Sequence, residues 1–272
     1  MNATMTLRQR VGRAVYSQPL YRAFRTNYAV RAVLDFFPWP ATLPDGTTRT
    51  VPRHLARLIG LWRTNPGLWS ESRQVLDAYH GGDAIDVGAF HGWYSVLFAS
   101  RAAAGDRLVS VEPDVRALPA LHDTLAALAS LSSAIMFALP VAVGDGSTLS
   151  PSFPYGEDGH PRFGSDTGEG VIGMTGITID TLVRALGLRP TFVKIDVEGA
   201  EHFVLQGMLN TLREYQPTLM LELHPYWQPV GVAIEDLRAL LVGNGYGATT
   251  LDVTDMAVRE LWSPTRPTPA MS

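Results

Sequence analysis

Two apolar runs in the second half of the chain end in side chains that can move protons. The run 192–195 leads into Asp196 and Glu198, and the run 217–223 contains Glu222 and leads into His224. Carboxylates and imidazoles act as general acids and bases. Asp196 is therefore a candidate for orienting or deprotonating a substrate. Its alternative role is to cap the helix that follows it.

His224 is the second candidate base. Glu222 lies two residues before it, so the two side chains share one face of an extended strand. Glu222 is then placed either to orient His224 or to pair with Lys194. Asp196, Glu222 and His224 also form a mixed oxygen and nitrogen set of the kind that binds divalent metals. Because their spacing matches no specific metal motif, we favour a site without metal.

Lys194 is the only lysine in the chain, since the other 21 basic residues are arginines. In an extended strand Lys194, Asp196 and Glu198 point to one face, because side chains alternate. A buried ion pair and a role toward substrate or cofactor are both open for this lysine. Glu198 and Glu201 fall in the first turn of the next helix, where the helix dipole favours acids. We assign Glu201 a structural role and leave Glu198 as a catalytic candidate.

A glycine turn follows the first apolar run of the second part of the chain. Asp86 ends this run, and Gly88 and Gly92 lie between it and an apolar helical segment. Glycine adopts positive φ and lacks a Cβ, so the backbone of such a turn can approach a nucleotide-like ligand. Glu112 ends the next apolar run, 20 residues after Gly92, where an acid can bind ribose hydroxyls before Pro113 stops the strand.

The elements that must position these residues alternate between strand and helix. We predict strands at 84–88, 107–112, 135–143, 191–196 and 217–223, helices at 92–104, 114–130, 181–186, 199–213 and 233–243, and short strands near 246–252 and 257–262. This order is typical of an α/β fold with a mostly parallel, doubly wound sheet and an antiparallel end. Ligands of such sheets bind at the carboxyl ends of the strands, where these candidate residues occur. Asp180 is the predicted N-cap of helix 181–186, and Gly187 its end.

We divide the chain into a helical N-terminal extension (1–78), a catalytic domain (79–262) and a flexible tail (263–272). The extension is predicted to hold helices at 7–37, 52–62 and 70–79, the last one capped by Ser70, and a turn at Asp45–Gly46 between two short strands. It carries 11 Arg and four acids, which favours a solvated basic face on helices that pack against the acidic catalytic domain; the alternative is a face toward a membrane surface, an acidic carrier protein or an anionic substrate. The extension is also a candidate contact for a homodimer. The long segment 144–176 is interpreted as a lid or substrate loop.

Composition excludes several classes of protein. The chain has no Cys, which excludes disulfides, thiolate metal sites and a cysteine nucleophile. No run approaches the roughly 18 apolar residues that a membrane helix needs, and we expect a cytoplasmic protein without a membrane span. The net charge is −4, and the catalytic part is acidic and has no basic run, so a nucleic-acid partner is not expected.

The motifs taken together resemble those of the FkbM family of S-adenosylmethionine-dependent methyltransferases over about residues 80–250. The segments that carry the resemblance are Asp86–Ala89, Val111–Pro113, Val141–Asp145, Ile177–Leu182, Lys194–Glu201 and Leu221–His224. The most specific of them is Lys194–Glu201. The resemblance implies a Rossmann-like class I methyltransferase fold, S-adenosylmethionine as cofactor, and methyl transfer to a hydroxyl of a small-molecule or glycan acceptor.

The resemblance also implies roles for individual residues. The methionine end of the cofactor is expected near Asp86, Gly88, Ala89, Phe90 and Gly92, the ribose near Glu112 and Pro113, and the adenine near Ala142 and Asp145. A plain turn is the alternative at Asp145. The expected catalytic set is Asp196, His224, Glu222, Lys194 and Glu198. This chain departs from the family at Phe90, where the family usually carries Asn.

Two rival functions remain open at this stage. One is an enzyme that uses NAD or a nucleotide sugar. The sequence argues against it, because residues 88–93 do not form Gly-x-Gly-x-x-Gly. The other is a binding protein without catalytic activity, in which Phe90 fills part of the cofactor pocket. Tyr226 and Trp227, just after His224, are expected either to line an acceptor pocket or to pack as an aromatic pair.

Overall fold

The computed structural model describes residues 39–129, 131–147, 176–229 and 231–265. The predicted helix at 7–37, most of the predicted lid and the last residues of the tail lie outside these ranges. The chain divides into two compact units, residues 1–73 and 74–272, and the division falls inside a helix. Each unit is described by itself below.

The first unit contains a short hairpin and a helix. Strands β1 (Trp39–Thr42) and β2 (Thr48–Val51) pair antiparallel, and helix α1 (Arg53–Arg63) follows. The Asp45 side chain accepts a hydrogen bond of 2.9 Å from the Thr47 amide in the connecting turn. The two short strands and the helix at 52–62 are thus confirmed.

Helix α2 (Pro66–Ala78) begins four residues earlier than the predicted start at Ser70. The side-chain oxygen of Asn65 accepts hydrogen bonds from the amides of Gly67 and Leu68, at 3.1 and 3.2 Å. Asn65 is therefore the N-cap, and Pro66 occupies the first helical position, where its missing N–H costs nothing. The prediction of Ser70 as N-cap was wrong, because Ser70 lies within the helix.

The second unit alternates strands and helices. Its elements in chain order are β3 (Asp83–Val87), α3 (Trp93–Arg101), β4 (Arg107–Val111), α4 (Leu118–Leu128), β5 (Ile135–Leu139), β6 (Ala142–Val143), β7 (Gly176–Ile177), α5 (Ile179–Leu186), β8 (Pro190–Ile195), α6 (Glu201–Gln206), α7 (Leu209–Glu214), β9 (Thr218–Leu223), α8 (Ile234–Gly243), β10 (Tyr246–Val253) and β11 (Val258–Pro264).

Seven of these strands form one sheet in the order β10-β11-β9-β8-β3-β4-β5. The five strands from β9 to β5 are parallel, whereas β11 runs antiparallel to both β9 and β10. This is the predicted α/β architecture with an antiparallel end. The chain winds outward in opposite directions from β3 and β8, so the crevice beyond their carboxyl ends is the topological switch point where ligands of such sheets bind.

The central strands are buried on both faces. All five residues of β3 are buried, and so are all those of β8 except Thr191. Their apolar side chains join those of β9 and the flanking helices in one core that includes Ile85, Val193, Leu221 and Trp262. Burial on both faces explains why these strands read in the sequence as nearly continuous apolar runs.

Two predicted elements are each divided in two. The strand expected at 135–143 is interrupted at Pro140, which has no N–H to donate to a ladder, and β6 pairs instead with β7 in a separate two-stranded sheet. The helix expected at 199–213 breaks at Gly207 into α6 and α7. A Cβ at Gly207 would overlap the Gly144 carbonyl oxygen, so the break lets the two backbone segments meet.

The cap of helix α5 differs from the prediction. Thr178, not Asp180, is the N-cap, and its hydroxyl accepts a 3.0 Å hydrogen bond from the Thr181 amide. Asp180 instead accepts hydrogen bonds from the amides of Asn210 (3.1 Å) and Thr211 (2.8 Å), at the start of α7. The predicted end at Gly187 is confirmed, since this residue adopts the left-handed conformation.

Strand β11 continues to Pro264, two residues beyond the predicted end of the catalytic domain at 262. The Thr265 amide donates a 2.8 Å hydrogen bond to the carbonyl of Gly245, the residue before β10, so the described end of the chain is held beside the start of β10. Among the described residues, no helix is both long enough and apolar enough to cross a membrane.

Candidate active site

The loop after β3 is in close backbone contact with the residue that follows β8. Gly88 has a φ of +73°, and a Cβ at this position would overlap the Asp196 carbonyl oxygen. The Asp196 amide in turn donates a 3.1 Å hydrogen bond to the Val87 carbonyl. The predicted need for glycine at residue 88 thus has a physical cause, which is the close approach of two backbones at the switch point.

Asp86 holds the start of helix α3 against β3. Its Oδ2 accepts hydrogen bonds from the amide (3.0 Å) and the hydroxyl (2.7 Å) of Ser95, and the residue is buried. Its Oδ1 lies 3.4 Å from the Lys194 ammonium. Asp86 therefore fixes the two ends of the glycine loop through Ser95 and Lys194. The contact between its carboxylate and a cofactor stays a prediction.

Glu112 joins the loops that follow β3 and β4. One of its carboxylate oxygens accepts a 2.7 Å hydrogen bond from the Phe90 amide, and the other accepts a 2.7 Å hydrogen bond from the Asp114 amide. Burial raises the pKa of Glu112, and these two amides partly oppose the rise. The carboxylate is thus fixed at the end of β4, where ribose recognition was predicted, and Pro113 follows it.

Phe90 adopts a left-handed backbone conformation with a φ of +47°. Asn tolerates this conformation better than Phe does, which gives a physical reason for the Asn that the family usually carries here. The Phe90 ring stacks on His91 with centroids 3.8 Å apart, and the residue is 40% exposed. Neighbouring Ala89 is buried, and Gly92 caps helix α3.

Lys194 is buried between β3 and the end of β8. Its ammonium donates a 2.6 Å hydrogen bond to the Gly88 carbonyl and lies 3.5 Å from an Asp196 carboxylate oxygen. Burial by itself lowers the pKa of Lys194, but the carboxylates of Asp196 and Asp86 outweigh it and raise the pKa. Of the two interpretations that the sequence left open, the structure shows the buried ion pair, with Asp86 as an additional partner.

Three predicted catalytic side chains meet beyond the ends of β8 and β9. Asp196, Glu198 and His224 each offer an atom, and these atoms lie within 4.8 Å of one another. The His224 Nε2 is 3.5 Å from Glu198. Glu198 has a φ of +53°, an unfavourable conformation for a residue with a Cβ, of the kind often found at functional sites. We call these three residues the acid–imidazole cluster.

Glu201, which we had assigned a structural role, is the residue that orients His224. Its Oε1 lies 2.8 Å from the His224 Nδ1, and its other carboxylate oxygen accepts a hydrogen bond from the Gln228 side chain. Glu201 is fully buried, and the Trp227 ring stacks on His224 at 4.7 Å. The only sequence signal for this contact was the last acid of the Lys194–Glu201 motif, because nothing local links it to a histidine 23 residues away.

Glu222 forms its hydrogen bonds with Arg259 rather than with the partners predicted for it. Both of its carboxylate oxygens accept hydrogen bonds from the Arg259 guanidinium, at 2.5 and 2.9 Å. The His224 Nε2 lies 3.8 Å from Glu222, within ion-pair distance, whereas in the described ranges Lys194 forms its ion pairs with Asp86 and Asp196. The proposed metal set is corrected in the same way, because Glu198 and not Glu222 groups with Asp196 and His224.

The carboxylates around His224 decide its charge. Burial by itself lowers the pKa of His224, but the hydrogen bond and charge of Glu201, with the charges of Asp196 and Glu198, raise it to about 9. Burial and the Asp196 carboxylate likewise raise the pKa of Glu198 to about 8. Both groups therefore hold a proton more readily near neutral pH than the same side chains do in water.

The residues predicted to contact the adenine lie in and just after β6. Ala142 is buried in β6, and Asp145 is an exposed turn residue whose carboxylate accepts hydrogen bonds from the amide (2.8 Å) and hydroxyl of Ser147. The plain turn that we kept open at Asp145 is thus observed, and its adenine contact stays a prediction. Tyr226 is 77% exposed and Trp227 stacks on His224, so no Tyr226–Trp227 ring pair is seen.

Comparison with known proteins agrees with this arrangement. The methyltransferase FkbM domain model matches residues 86–247, and no curated protein matches the chain. A methyltransferase FkbM from Methylobacillus flagellatus KT has a similar solved structure, with 15% identity and a TM-score of 0.52. The match covers 89% of this chain and 60% of that protein, so the chain spans about three fifths of its relative's length.

A second solved structure is the magnesium protoporphyrin IX methyltransferase from Synechocystis PCC 6803 with bound S-adenosylmethionine. It has 11% identity and a TM-score of 0.41, and the match covers 97% of this chain and 99% of that protein. The domain match extends over more than half of the chain, from Asp86 at the glycine loop to Gly247 in β10. With its motifs at the carboxyl ends of a class I methyltransferase sheet, this chain belongs to the FkbM family of methyltransferases.

Proposed function

We propose that the protein transfers a methyl group from S-adenosylmethionine to a hydroxyl oxygen of a small-molecule or glycan acceptor. The observation that carries the proposal is the contact between the glycine loop and the acid–imidazole cluster. The Lys194 ammonium links them, since it binds the Gly88 carbonyl at 2.6 Å and lies 3.5 Å from Asp196. A donor held at the loop would thus present its methyl group beside the acids.

The glycine loop and Glu112 fit the donor. The loop has a backbone without a side chain at Gly88, and Glu112 is held by two amides at the end of the neighbouring strand. An acid in this position binds ribose hydroxyls in related nucleotide-binding folds. The negative charge of Asp196 suits a donor whose sulfur is positively charged.

The reaction needs an aligned acceptor and a destination for one proton. The acceptor oxygen bonds to the methyl carbon, the carbon–sulfur bond breaks, and its electron pair remains on sulfur as S-adenosylhomocysteine forms. The hydroxyl proton leaves toward the acid–imidazole cluster, where Asp196 is the candidate acceptor. His224 can accept the proton only in its neutral form, which its raised pKa makes the minor form near pH 7. Glu201 and Trp227 fix the His224 ring, and fixed groups of this kind reduce the cost of alignment.

Lys194 acts as a positioning residue in this scheme. Its side chain is only 2% exposed, so it reaches the reacting atoms through the Gly88 carbonyl and the Asp196 carboxylate rather than by direct contact. Tyr226 is 77% exposed two residues after His224 and offers an aromatic surface to an acceptor. An aromatic side chain of this kind suits the apolar face of a sugar or of a planar ring.

Calorimetric titration of the full chain with S-adenosylmethionine, S-adenosylhomocysteine and NAD tests donor binding. We expect the two sulfur compounds to bind and NAD not to bind. Methyl transfer from labelled donor is then measured on a panel of alcohols and glycans and on their deoxy counterparts. Labelling that needs the hydroxyl supports oxygen as the acceptor atom. Failure of both sulfur ligands to bind would overturn the proposal, and labelling of the deoxy compounds would overturn its oxygen specificity.

A further inference from the structure

We propose that Asp196, Glu198 and His224 bind one divalent metal ion. Their candidate ligand atoms, two carboxylate oxygens and one imidazole nitrogen, lie within 4.8 Å of one another. A metal with bonds of about 2.1 Å needs ligand atoms roughly 3 to 4 Å apart, and the His224 Nε2 and the Glu198 carboxylate oxygen already lie 3.5 Å apart. Two ligands follow β8 and the third follows the adjacent β9, which gives the site a rigid base.

The hydrogen bonding of these groups is the second observation. Within the described ranges, neither the Asp196 nor the Glu198 carboxylate accepts a hydrogen bond, and the Asp196 Oδ1 is buried without a partner. The His224 side chain is only 4% exposed, and its Nε2 lies 3.5 Å from Glu198 and 3.8 Å from Glu222, which are ion-pair contacts longer than its Nδ1 contact with Glu201. Buried polar atoms such as the Asp196 Oδ1 are rarely left unpaired, and a cation that all three side chains face would bind this atom together with Glu198 and the His224 Nε2.

The environment of His224 prepares it as a metal ligand. The Glu201 carboxylate lies 2.8 Å from Nδ1, so in the neutral ring that a metal requires the proton would stay on Nδ1. The metal would then replace the proton on Nε2, which lies 3.5 Å from Glu198. A carboxylate behind a ligating histidine is the usual support of protein metal sites, because it fixes the ring and increases its basicity. Trp227 stacks on the ring and prevents it from turning away.

The charges around the cluster separate its ligands from its neighbours. Glu222 is neutralised by Arg259 through two hydrogen bonds, which excludes it as a free ligand. The Lys194 ammonium forms ion pairs with both Asp86 and Asp196, so it balances the charge of Asp196 only in part. Glu198 has no cationic partner in the described ranges other than His224. Once Glu198 and the His224 Nε2 lose their protons, the carboxylates carry more negative charge than Lys194 balances where the ligand atoms converge, and a dication would balance it.

The role of the metal rests on the proposed function. As metal ligands, Asp196 and His224 would not accept the hydroxyl proton as they do in the scheme without metal. The ion would instead lower the pKa of an acceptor hydroxyl bound to it, and the proton would pass to water. The acceptor oxygen would then take the methyl carbon while the electron pair of the carbon–sulfur bond stays on sulfur. One imidazole with two carboxylates suits Mn²⁺, Fe²⁺ or Zn²⁺ better than Ca²⁺, which prefers all-oxygen sites.

Mn²⁺ is the probe for the test. The full chain is stripped with a chelator and titrated with Mn²⁺, and the free ion is followed by electron paramagnetic resonance. We expect one site per chain in the wild type. Glu198→Gln and His224→Asn should weaken binding at least about tenfold, and Glu201→Gln about 10- to 100-fold. The control is Glu235→Gln on an exposed side chain of α8, which should bind as the wild type does.

Absence of Mn²⁺ binding to the folded wild type would overturn the metal site. So would a Glu198→Gln protein that is folded by circular dichroism and binds Mn²⁺ normally, because the ion would then sit elsewhere. Glu198 is partly exposed, so this variant keeps the test valid if the His224 variant does not fold. Donor binding is measured separately: Mn²⁺ binding without binding of S-adenosylmethionine would overturn the proposed function and support the metal site.

Discussion

Replacement of Gly88 by alanine tests the close approach that builds the site. The residue has a φ of +73°, and its added Cβ would overlap the Asp196 carbonyl oxygen. That oxygen belongs to backbone and has little freedom to retreat, because the Asp196 amide is hydrogen-bonded to the Val87 carbonyl at 3.1 Å. Relief therefore requires the ends of β3 and β8 to separate.

Gly105 provides a matched control for the magnitude. Its φ of +94° is also left-handed, but a Cβ there would have nothing within 4 Å. Alanine at positive φ costs about 1 to 2 kcal/mol, from which the stiffer unfolded chain recovers about 0.4 to 1 kcal/mol. We expect Gly105→Ala to cost about 1 kcal/mol. Gly88→Ala adds about 1 to 3 kcal/mol of overpacking, for a total of about 2 to 4 kcal/mol.

Urea unfolding followed by tryptophan fluorescence measures the free energy of unfolding of both variants, and thermal unfolding measures their melting temperatures. At about 2 to 4 °C per kcal/mol, the melting temperature should fall by about 4 to 16 °C for Gly88→Ala and by about 2 to 4 °C for Gly105→Ala. S-adenosylmethionine binding should be lost in the first variant and kept in the second. Equal losses of unfolding free energy in the two variants would refute the argument from close approach.

Three further predictions concern buried charge, helix capping and strain. Lys194→Met should lower the free energy of unfolding by about 3 to 5 kcal/mol, because it leaves Asp86 buried without its cation; Asp86→Asn added to it should restore part of the loss in urea unfolding. Thr178→Ala should cost about 1 kcal/mol in the same assay by removing the cap of α5. Glu198→Gly should raise the unfolding free energy by about 1 kcal/mol by relieving a positive φ, while Mn²⁺ binding is lost.

Each of these predictions has its own refuting result. A strictly additive Lys194–Asp86 double-mutant cycle would show that the two charges do not interact. A Thr178→Ala protein as stable as the wild type would mean that Thr181 finds another acceptor. A Glu198→Gly protein less stable than the wild type would show that the Glu198 side chain contributes more to folding than its backbone conformation costs.

Much of the fold could be predicted from local pattern. The apolar runs of β3, β4, β8 and β9 are buried on both faces, so they are visible in the sequence as continuous segments. Helix ends were less predictable. Asp180 is as good an N-cap type as Thr178, and only the position of α7 determines that its carboxylate serves the amides of Asn210 and Thr211 instead.

The members of the site were predictable, but their pairing was not. Asp196 and His224 end neighbouring parallel strands, which brings them to one edge of the sheet whatever the loops do. The partner of Glu222 depends on β11, which enters the sheet between β9 and β10 and sets Arg259 opposite Glu222. The sequence contains no local signal for that insertion or for its register.

The sequence by itself determined the class of sheet, the placement of glycine and acids at its carboxyl edge, and the family. These follow from side-chain periodicity and from backbone conformations that few residues allow, and both are local properties. Tertiary structure alone decided that Glu201 supports His224 and that Lys194 joins Asp86 to Asp196. It also decided that Glu198 lies beside His224 and accepts no hydrogen bond from the described residues. Those contacts join segments distant in the chain, and their geometry depends on strand register and loop closure.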